Sequence, residues 1–329
     1  MSKQLKRVKQ VITPALIAHG GAGGRAPMAE RSGRRHGLIS AVERGAAVLS
    51  RGGGALDAVA ATIVALENDS LFNAGYGSVL TTEGRVEMDA AVMVAERGGI
   101  AAGGRRREPL ARATVQAGGV VLISRVRNPI LLARAVMEFT PHLMLGGPAA
   151  ERLATQAGLR LCRPDQLISE RAHRRWLALM ESRPAKSSPG HGTVGAAALD
   201  AHGNLAAATS TGGVAGKLPG RIGDSAVIGA GLFAAETGAA SSTGTGEAIM
   251  KVGLCREAIT MLARAAAPEA ALRAIKHLYA ATGGEAGLVM VDSAGCFGYA
   301  HNAPAMEIAM LEPAGRVRYR VVKAVSGLR

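Results

Sequence analysis

"HGTVGAAALDAHGNLAAATSTGG", residues 191–213, decides how this chain is read. Two runs of small, strand-compatible residues flank "AHGN", whose glycine and asparagine suit a tight hairpin turn. A turn centred on Ala201–Asn204 pairs residues whose numbers sum to about 404 or 405. Thr193 then lies opposite Thr211, or one residue from it, and two hydroxyls meet at the open end of the hairpin. Threonine pairs also occur in sheets that carry no chemistry. The segment before the hairpin sharpens the choice. "ESRPAKSSPGHG" (181–192) has two prolines, two glycines and no apolar periodicity, and predicts a mobile linker.

A threonine hydroxyl is a weak nucleophile unless a base sits beside it. The nearest base is the residue's own α-amine, with an unperturbed pKa of roughly 7.7–8.0. That amine exists only if the Gly192–Thr193 bond is cut. A linker ending at Gly192 suits such a cut, which divides the chain into 1–192 and 193–329.

Composition sets the frame. The chain has 329 residues, 48% hydrophobic, with 3% aromatics and 44 glycines. Such a chain buries a large core, built here from Ala, Val, Leu, Ile and Met, whose small size lets layers approach closely. The formal charge is +14, which raises the question of nucleic acid or an acidic partner. The basic residues fall in separate short clusters, including Arg31, Arg34 and Arg35, Arg105 to Arg107, and Arg171, Arg174 and Arg175. No aromatic residues interleave with them to form a stacking platform. Solvated surface arginines are the ordinary reading, and nucleic acid is not the expected partner. Cys162, Cys255 and Cys296 are odd in number and far apart. That argues against a disulfide framework and for a reducing cytoplasm. Residues 1–18 read as a basic tail and a first strand, because Pro14 interrupts "VITPALIA". No apolar stretch has the length of a membrane span.

Elements follow from periodicity. "ALIAHGGAGG" (15–24) predicts a buried strand and a glycine-rich turn. Residues 36–69 predict two helices broken at Gly52–Gly54, with Asp57 in the second helix's first turn. Residues 70–94 predict loop, strand, "EG" turn and strand. A strand over 118–126, helices over 128–140 and 147–158, a glycine-rich turn entering a helix over 243–264, a helix over 267–280 and a hairpin over 286–302 complete the pattern. Antiparallel sheets with helices outside are the expected class.

The motifs "HGGAG" (19–23), "LFNAGYGSVLT" (71–81), "MDAAVM" (88–93), "RNP" (127–129), the long run 191–213, "KLPGRIGDS" (217–225) and "TGTGE" (243–247) occur in order. Together they resemble the plant-type L-asparaginase and isoaspartyl peptidase family of N-terminal-nucleophile hydrolases. The resemblance spans most of the chain. It implies an α+β fold, a four-layer αββα sandwich forming a single domain over 1–329, with autocleavage between Gly192 and Thr193. It makes Thr193 the nucleophile, first of its own peptide bond and then of substrate, with Thr211 tuning it. The Thr245 hydroxyl and the Gly246 N–H become the oxyanion hole and substrate contacts. Arg221 holds the substrate α-carboxylate and Asp224 its α-ammonium. Asn73 approaches and positions the nucleophile. The backbone carbonyls of Leu66, Glu67, Phe72 and Ala74 offer a structural Na+ site; no cofactor is required. The substrates implied are L-asparagine and β-aspartyl dipeptides, and the assembly a dimer of processed αβ units.

The Arg221 and Asp224 roles also make chemical sense. A guanidinium fork matches a carboxylate, and an aspartate accepts from an ammonium. A local ion pair within a glycine-rich loop is the competing reading. The chain departs from the family pattern in the Arg-rich segment 95–117, in "GGEAG" (283–287) with Ala286 at its fourth position, and in "AHNAPAM" (300–306). "HGGAGG" lacks the G-K-[ST] ending of a phosphate loop, and the histidines form no H-x-x-x-H pair. Three alternatives stand beside the main expectation: a glycosylasparaginase-like enzyme, a threonine endopeptidase of the same fold, and a non-catalytic basic protein binding nucleic acid or an acidic partner. Glycosylasparaginases typically carry Asp, not Gly, before the nucleophile.

Overall fold

The computed structural model describes residues 12–97, 114–181 and 192–327. The chain begins with β1 (Ala15–Gly23), α1 (Met28–Ser50) and α2 (Ala55–Glu67), and continues through β2 (Met88–Glu96), β3 (Thr114–Ile123), α3 (Pro129–Phe139), β4 (Met144–Gly146), α4 (Gly147–Gln156) and α5 (Glu170–Glu181). From Thr193 onward come β5 (Val194–Leu199), β6 (Leu205–Thr211), β7 (Leu232–Ala235) and β8 (Gly238–Gly244). Three helices follow, α6 (Gly246–Val252), α7 (Leu254–Met261) and α8 (Ala267–Thr282). The last strands are β9 (Ala286–Asp292), β10 (Phe297–His301), β11 (Ala305–Leu311) and β12 (Val317–Val322).

One sheet has the order β12-β11-β1-β5-β6-β2-β3-β4 and the other β10-β9-β8-β7. All named pairs are antiparallel except β3 with β4. Side chains alternate across each strand, and this sorts the core into three layers. Leu16, Val92, Ala196 and Ala208 face Leu38, Val42, Val59 and Ile63 of α1 and α2. Ile17, Met93, Ala197 and Leu205 face the second sheet through Leu232, Ala239, Val289 and Val291. The far side of that sheet, with Ala240, Leu288 and Met290, packs on Ile249, Leu254, Ala258 and Leu278 of α6 to α8. The layers run helix, sheet, sheet, helix: the αββα sandwich the sequence predicts. Ala196 to Ala198 and Ala206 to Ala208 are all fully buried, because a central strand covered on both faces has no polar side.

The hairpin register follows the sequence arithmetic. Val194 pairs with Ser210 and Leu199 with Leu205, which sets Thr193 beside Thr211. Asp200 closes the turn by accepting N–H groups from His202 and Asn204, and its other oxygen accepts from Ala55 N at 3.0 Å. The turn is thereby tied to the start of α2, where a carboxylate complements the helix dipole.

Three expectations change. The strand expected before the "EG" turn reduces to a single bridge, Leu80 with Val86, because Thr81 bridges to Lys217 instead of continuing a ladder. The helix expected over 243–264 is two helices, broken where Gly253 takes φ +64. Glu181, the first residue of the expected linker, ends α5; of the rest of 181–192, only Gly192 lies among the described residues. The Arg-rich run 105–107 also lies outside them. The helix α5 and the β11–β12 hairpin have no counterpart in the sequence reading.

Candidate active site

Thr193 stands at the N-terminal end of β5, a central strand of the larger sheet. It is 7% exposed. Its hydroxyl lies 3.3 Å from Thr211 Oγ1 and 3.3 Å from Ser225 Oγ. These are long for O–H···O bonds, as hydroxyl pairs often are before a substrate tightens them. Thr211 ends β6, and its Oγ1 also accepts the Gly213 N–H at 2.9 Å. That donor leaves Thr211 Oγ1 polarised as it accepts from Thr193. Ser225 is fixed from behind, since the Thr209 hydroxyl donates to its carbonyl.

The second sheet contributes Thr243, from β8. Its Oγ1 accepts N–H groups from Ala22 at 3.2 Å and from Thr193 at 3.4 Å. Thr243 thus adds a third hydroxyl beside Thr193, after those of Thr211 and Ser225. β8 ends at Gly244, where φ is +143, and the chain turns into α6. Thr245 takes the position before that helix and donates its N–H to the Glu285 carbonyl at 2.8 Å. No hydrogen bond joins Thr245 to Thr193 among the described residues. Gly246 lies against the head-group pair: a Cβ there would come within 2.8 Å of Asp224 Oδ1 and 3.1 Å of Arg221 Nη2.

Arg221 and Asp224 sit on the loop after β6. Lys217 anchors that loop by donating to the Glu87 carbonyl at 2.8 Å, and the buried Asp89 accepts the Gly223 N–H at 3.2 Å. Burial pushes the Asp89 carboxyl up, opposed by the charge of Lys217. Asp224 is 4% exposed, and its Oδ2 has no hydrogen-bond partner. Burial pushes its carboxyl up to about 7; the Arg221 charge opposes this, and those of Glu247 and Asp89 add to it. An unpartnered buried carboxylate oxygen is costly unless something arrives to bond it. Arg221 forms an ion pair with Glu247 at 2.8 Å, so the local-ion-pair reading holds for Arg221 but with Glu247, not Asp224, as its partner.

Asn73 spends both ends of its amide on backbone. Nδ2 donates to the Gly213 carbonyl at 2.7 Å, and Oδ1 accepts the Val79 N–H at 2.9 Å. It also lies against Gly192, where an added Cβ would be 3.3 Å from Asn73 Cβ. Asn73 thus ties the loop after Thr211 to the residue before the nucleophile. Gly21 closes the other side. Its φ is +111, and a Cβ there would come within 2.8 Å of the Gly192 α-carbon. Only glycine allows both that conformation and that approach.

Beneath the nucleophile, His19 of β1 pairs with Gly195 of β5. Its Nε2 lies 2.9 Å from Ser241 Oγ. Burial pushes the His19 ring down to about 3, against the opposing influence of the Thr193 backbone beside it. The ring is neutral near physiological pH. Gly195 must be glycine for this pair to pass, because a Cβ would overlap both Ser241 Oγ and His19 Nε2.

The loop after α2 curls so that carbonyls crowd bare glycines. A Cβ on Gly75, whose φ is +53, would overlap the Glu67 carbonyl, and one on Gly77 would overlap that of Phe72. The Leu66 carbonyl accepts from Asp69 N, and the Ala74 carbonyl from Gly77 N. The Glu67 side chain is separately engaged. Its Oε1 accepts from Ser210 Oγ at 2.7 Å and Ile130 N at 3.0 Å, and burial pushes the carboxyl up to about 8.

A family model described as asparaginase matches residues 12–109 and 110–320. The chain belongs to this asparaginase family. Its fold is that of the N-terminal-nucleophile hydrolases. It is 39% identical to the isoaspartyl peptidase/L-asparaginase of Xenopus laevis over 286 residues, 86% of this chain and 87% of the relative. It is 37% identical to the Homo sapiens protein of that name over 289 residues, 86% of this chain and 88% of the relative. The plant-type L-asparaginase of Pyrobaculum calidifontis is 40% identical over 316 residues, 92% of this chain and 98% of the relative.

Sequence reasoning singled out Thr193, Thr211, Arg221, Asp224, Asn73, Gly192, Thr245 and Gly246; Thr211 lies beside Thr193, Asn73 against Gly192, and Gly246 against Arg221 and Asp224. It assigned no role to Ser225, Thr243, His19, Ser241 or Asp89. All but Ser241 lie within quoted motifs, and the fold brings Ser225 and Thr243 to Thr193.

Proposed function

We propose that the chain is an autocleaving threonine amidohydrolase acting on the side-chain amide of L-asparagine and on β-aspartyl dipeptides. The observation that carries the reading is the Thr193 hydroxyl, flanked by Thr211 and Ser225 at 3.3 Å each, one residue after a glycine held between Gly21 and Asn73. In the first event the hydroxyl attacks the Gly192 carbonyl, the peptide C–N bond gives way to an ester, and water hydrolyses that ester. Gly192 becomes a carboxylate and Thr193 gains a free α-amine.

In turnover that amine takes the hydroxyl proton as oxygen attacks the substrate's side-chain carbonyl. The proton then passes to the departing ammonia or amino acid, leaving a β-aspartyl ester on Thr193, which water cleaves to aspartate. The Thr245 hydroxyl and the Gly246 N–H, where β8 gives way to α6, supply the oxyanion hole. Asp224 Oδ2 supplies the missing partner for an α-ammonium, and Arg221 exchanges Glu247 for the α-carboxylate. Gly246 keeps that pocket free of a side chain. The requirement for a free head group favours β-aspartyl over ordinary peptide bonds.

A structural Na+ on the 66–74 carbonyls, a dimer of processed units and action in a reducing cytoplasm complete the reading. The three cysteines are free, which supports the last, and no described helix is long and apolar enough to cross a membrane. Side-by-side assay of L-asparagine and β-aspartyl-leucine on cleaved protein tests the proposal. Release of ammonia and leucine by wild type and not by Thr193→Ala is expected. Equal release by both would overturn the nucleophile assignment.

A further inference from the structure

Two arginine clusters that lie far apart in sequence meet in space. Arg31, Arg34 and Arg35 of α1, and Arg171, Arg174 and Arg175 of α5, line one cavity of about 920 Å³ that reaches Gly192 and the glycine turn after His19. Among the described residues, seven arginines and two glutamates line it. The glutamates are already engaged. Glu307 pairs with Arg34 at 2.9 Å, and Glu30 pairs with Arg171 at 2.9 Å. Arg175 is half-buried beside Arg171, with burial and that like charge both lowering its basicity and only Glu30 opposing them. Arg35 lies over the Tyr319 ring at 5.5 Å and Arg31 donates to the Ala26 carbonyl. Positive charge is therefore in surplus inside a concave site.

The position of the cavity gives that surplus a purpose. Gly192 lines it and Thr193 follows, whereas Arg221 and Asp224 lie outside it. The basic cavity thus reaches the residue before Thr193, and the Arg221 and Asp224 pair is not part of its lining. A substrate whose α-ammonium and α-carboxylate meet that pair can present its leaving group to the cavity. We propose that the cavity is the leaving-group subsite, and that it selects β-aspartyl peptides whose released residue carries a side-chain carboxylate as well as its terminal one. This rests on the amidohydrolase reading above. The ammonia released from asparagine gains nothing there. Complementary charge in a concave site favours binding and rejects like charge.

The test compares kcat/KM for β-aspartyl-glutamate, β-aspartyl-leucine and β-aspartyl-lysine, which share a head group, together with L-asparagine. Wild type should favour the glutamate over the lysine peptide about tenfold or more at low ionic strength. The preference should shrink toward unity in about 0.5 M salt. Arg35→Gln/Arg175→Gln should reduce it to about twofold with L-asparagine turnover retained; Arg31→Gln/Arg35→Gln, confined to exposed positions, should reduce it without risk to folding. Equal rates on the glutamate and lysine peptides in wild type, or a preference that survives both variants, would overturn the proposal. Slower chain cleavage with an unchanged preference would overturn it too, since the arginines would then serve the new Gly192 carboxylate. Failure to release anything from any of the four substrates would instead refute the amidohydrolase reading itself.

Discussion

Asp224 offers a quantitative handle on the head-group pocket. It is buried, its Oδ2 is unpartnered, and its carboxyl is pushed up to about 7, chiefly by burial. Only the ionised form pairs with a substrate ammonium. A group titrating near 7 is roughly one-tenth ionised at pH 6 and roughly nine-tenths at pH 8. Binding therefore strengthens as pH rises, and KM for L-asparagine should fall about tenfold between those values. The Thr193 amine acts on the chemical step and shapes kcat, so the two dependences separate in initial-rate assays of ammonia release. Asp224→Asn should abolish the slope in KM. It should also raise KM at pH 8 by roughly 10- to 100-fold, since hydrogen bonds to charged groups contribute about 1.5–3 kcal/mol. Glu247→Gln removes a charge that raises Asp224 and frees Arg221, so the inflection in KM should move below 7. Intact mass confirms that each variant is cleaved before assay. A flat KM from pH 6 to pH 8 in wild type, or the wild-type slope in Asp224→Asn, would refute the assignment of Asp224 to the ammonium.

Three further outcomes are expected. Thr245→Val should lower kcat by about 10²–10³ as an oxyanion donor is lost, and a variant within a few-fold of wild type would remove Thr245 from the oxyanion hole. Gly21→Ala places a Cβ 2.8 Å from the Gly192 α-carbon at a φ of +111, a strain of about 1–3 kcal/mol, and should slow chain cleavage at least about tenfold by time-resolved gel densitometry; an unchanged rate would remove Gly21 from the account. Replacing Na+ with a bulky organic cation should lower the thermal midpoint, and identical melting curves in the two buffers would exclude a structural ion on the 66–74 carbonyls.

The hairpin is legible from sequence because its determinants are local. A turn of polar residues and glycine fixes the register, and the register alone sets Thr193 beside Thr211. Helical spacing and the hairpins make antiparallel sheets with outer helices legible, and the four-layer order comes from the family motifs. Ser225 and His19 reach the site through contacts more than 30 residues distant, which no local pattern encodes. The strand expected near residues 78–82 fails for a similar reason, because Thr81 finds its partner at Lys217. The arginines of α1 and α5 read as ordinary surface residues until the fold carries both helices to one cavity.

The central claim is that Thr193 is a latent N-terminus. Intact mass of the purified chain, followed over prolonged incubation beside Thr193→Ala, tests it most directly. The account predicts two fragments, 1–192 and 193–329, appearing together with amidase activity in wild type, and a single uncut, inactive chain in the variant. A wild-type chain that hydrolyses L-asparagine while remaining whole, or a Thr193→Ala chain that still divides at this bond, would contradict it.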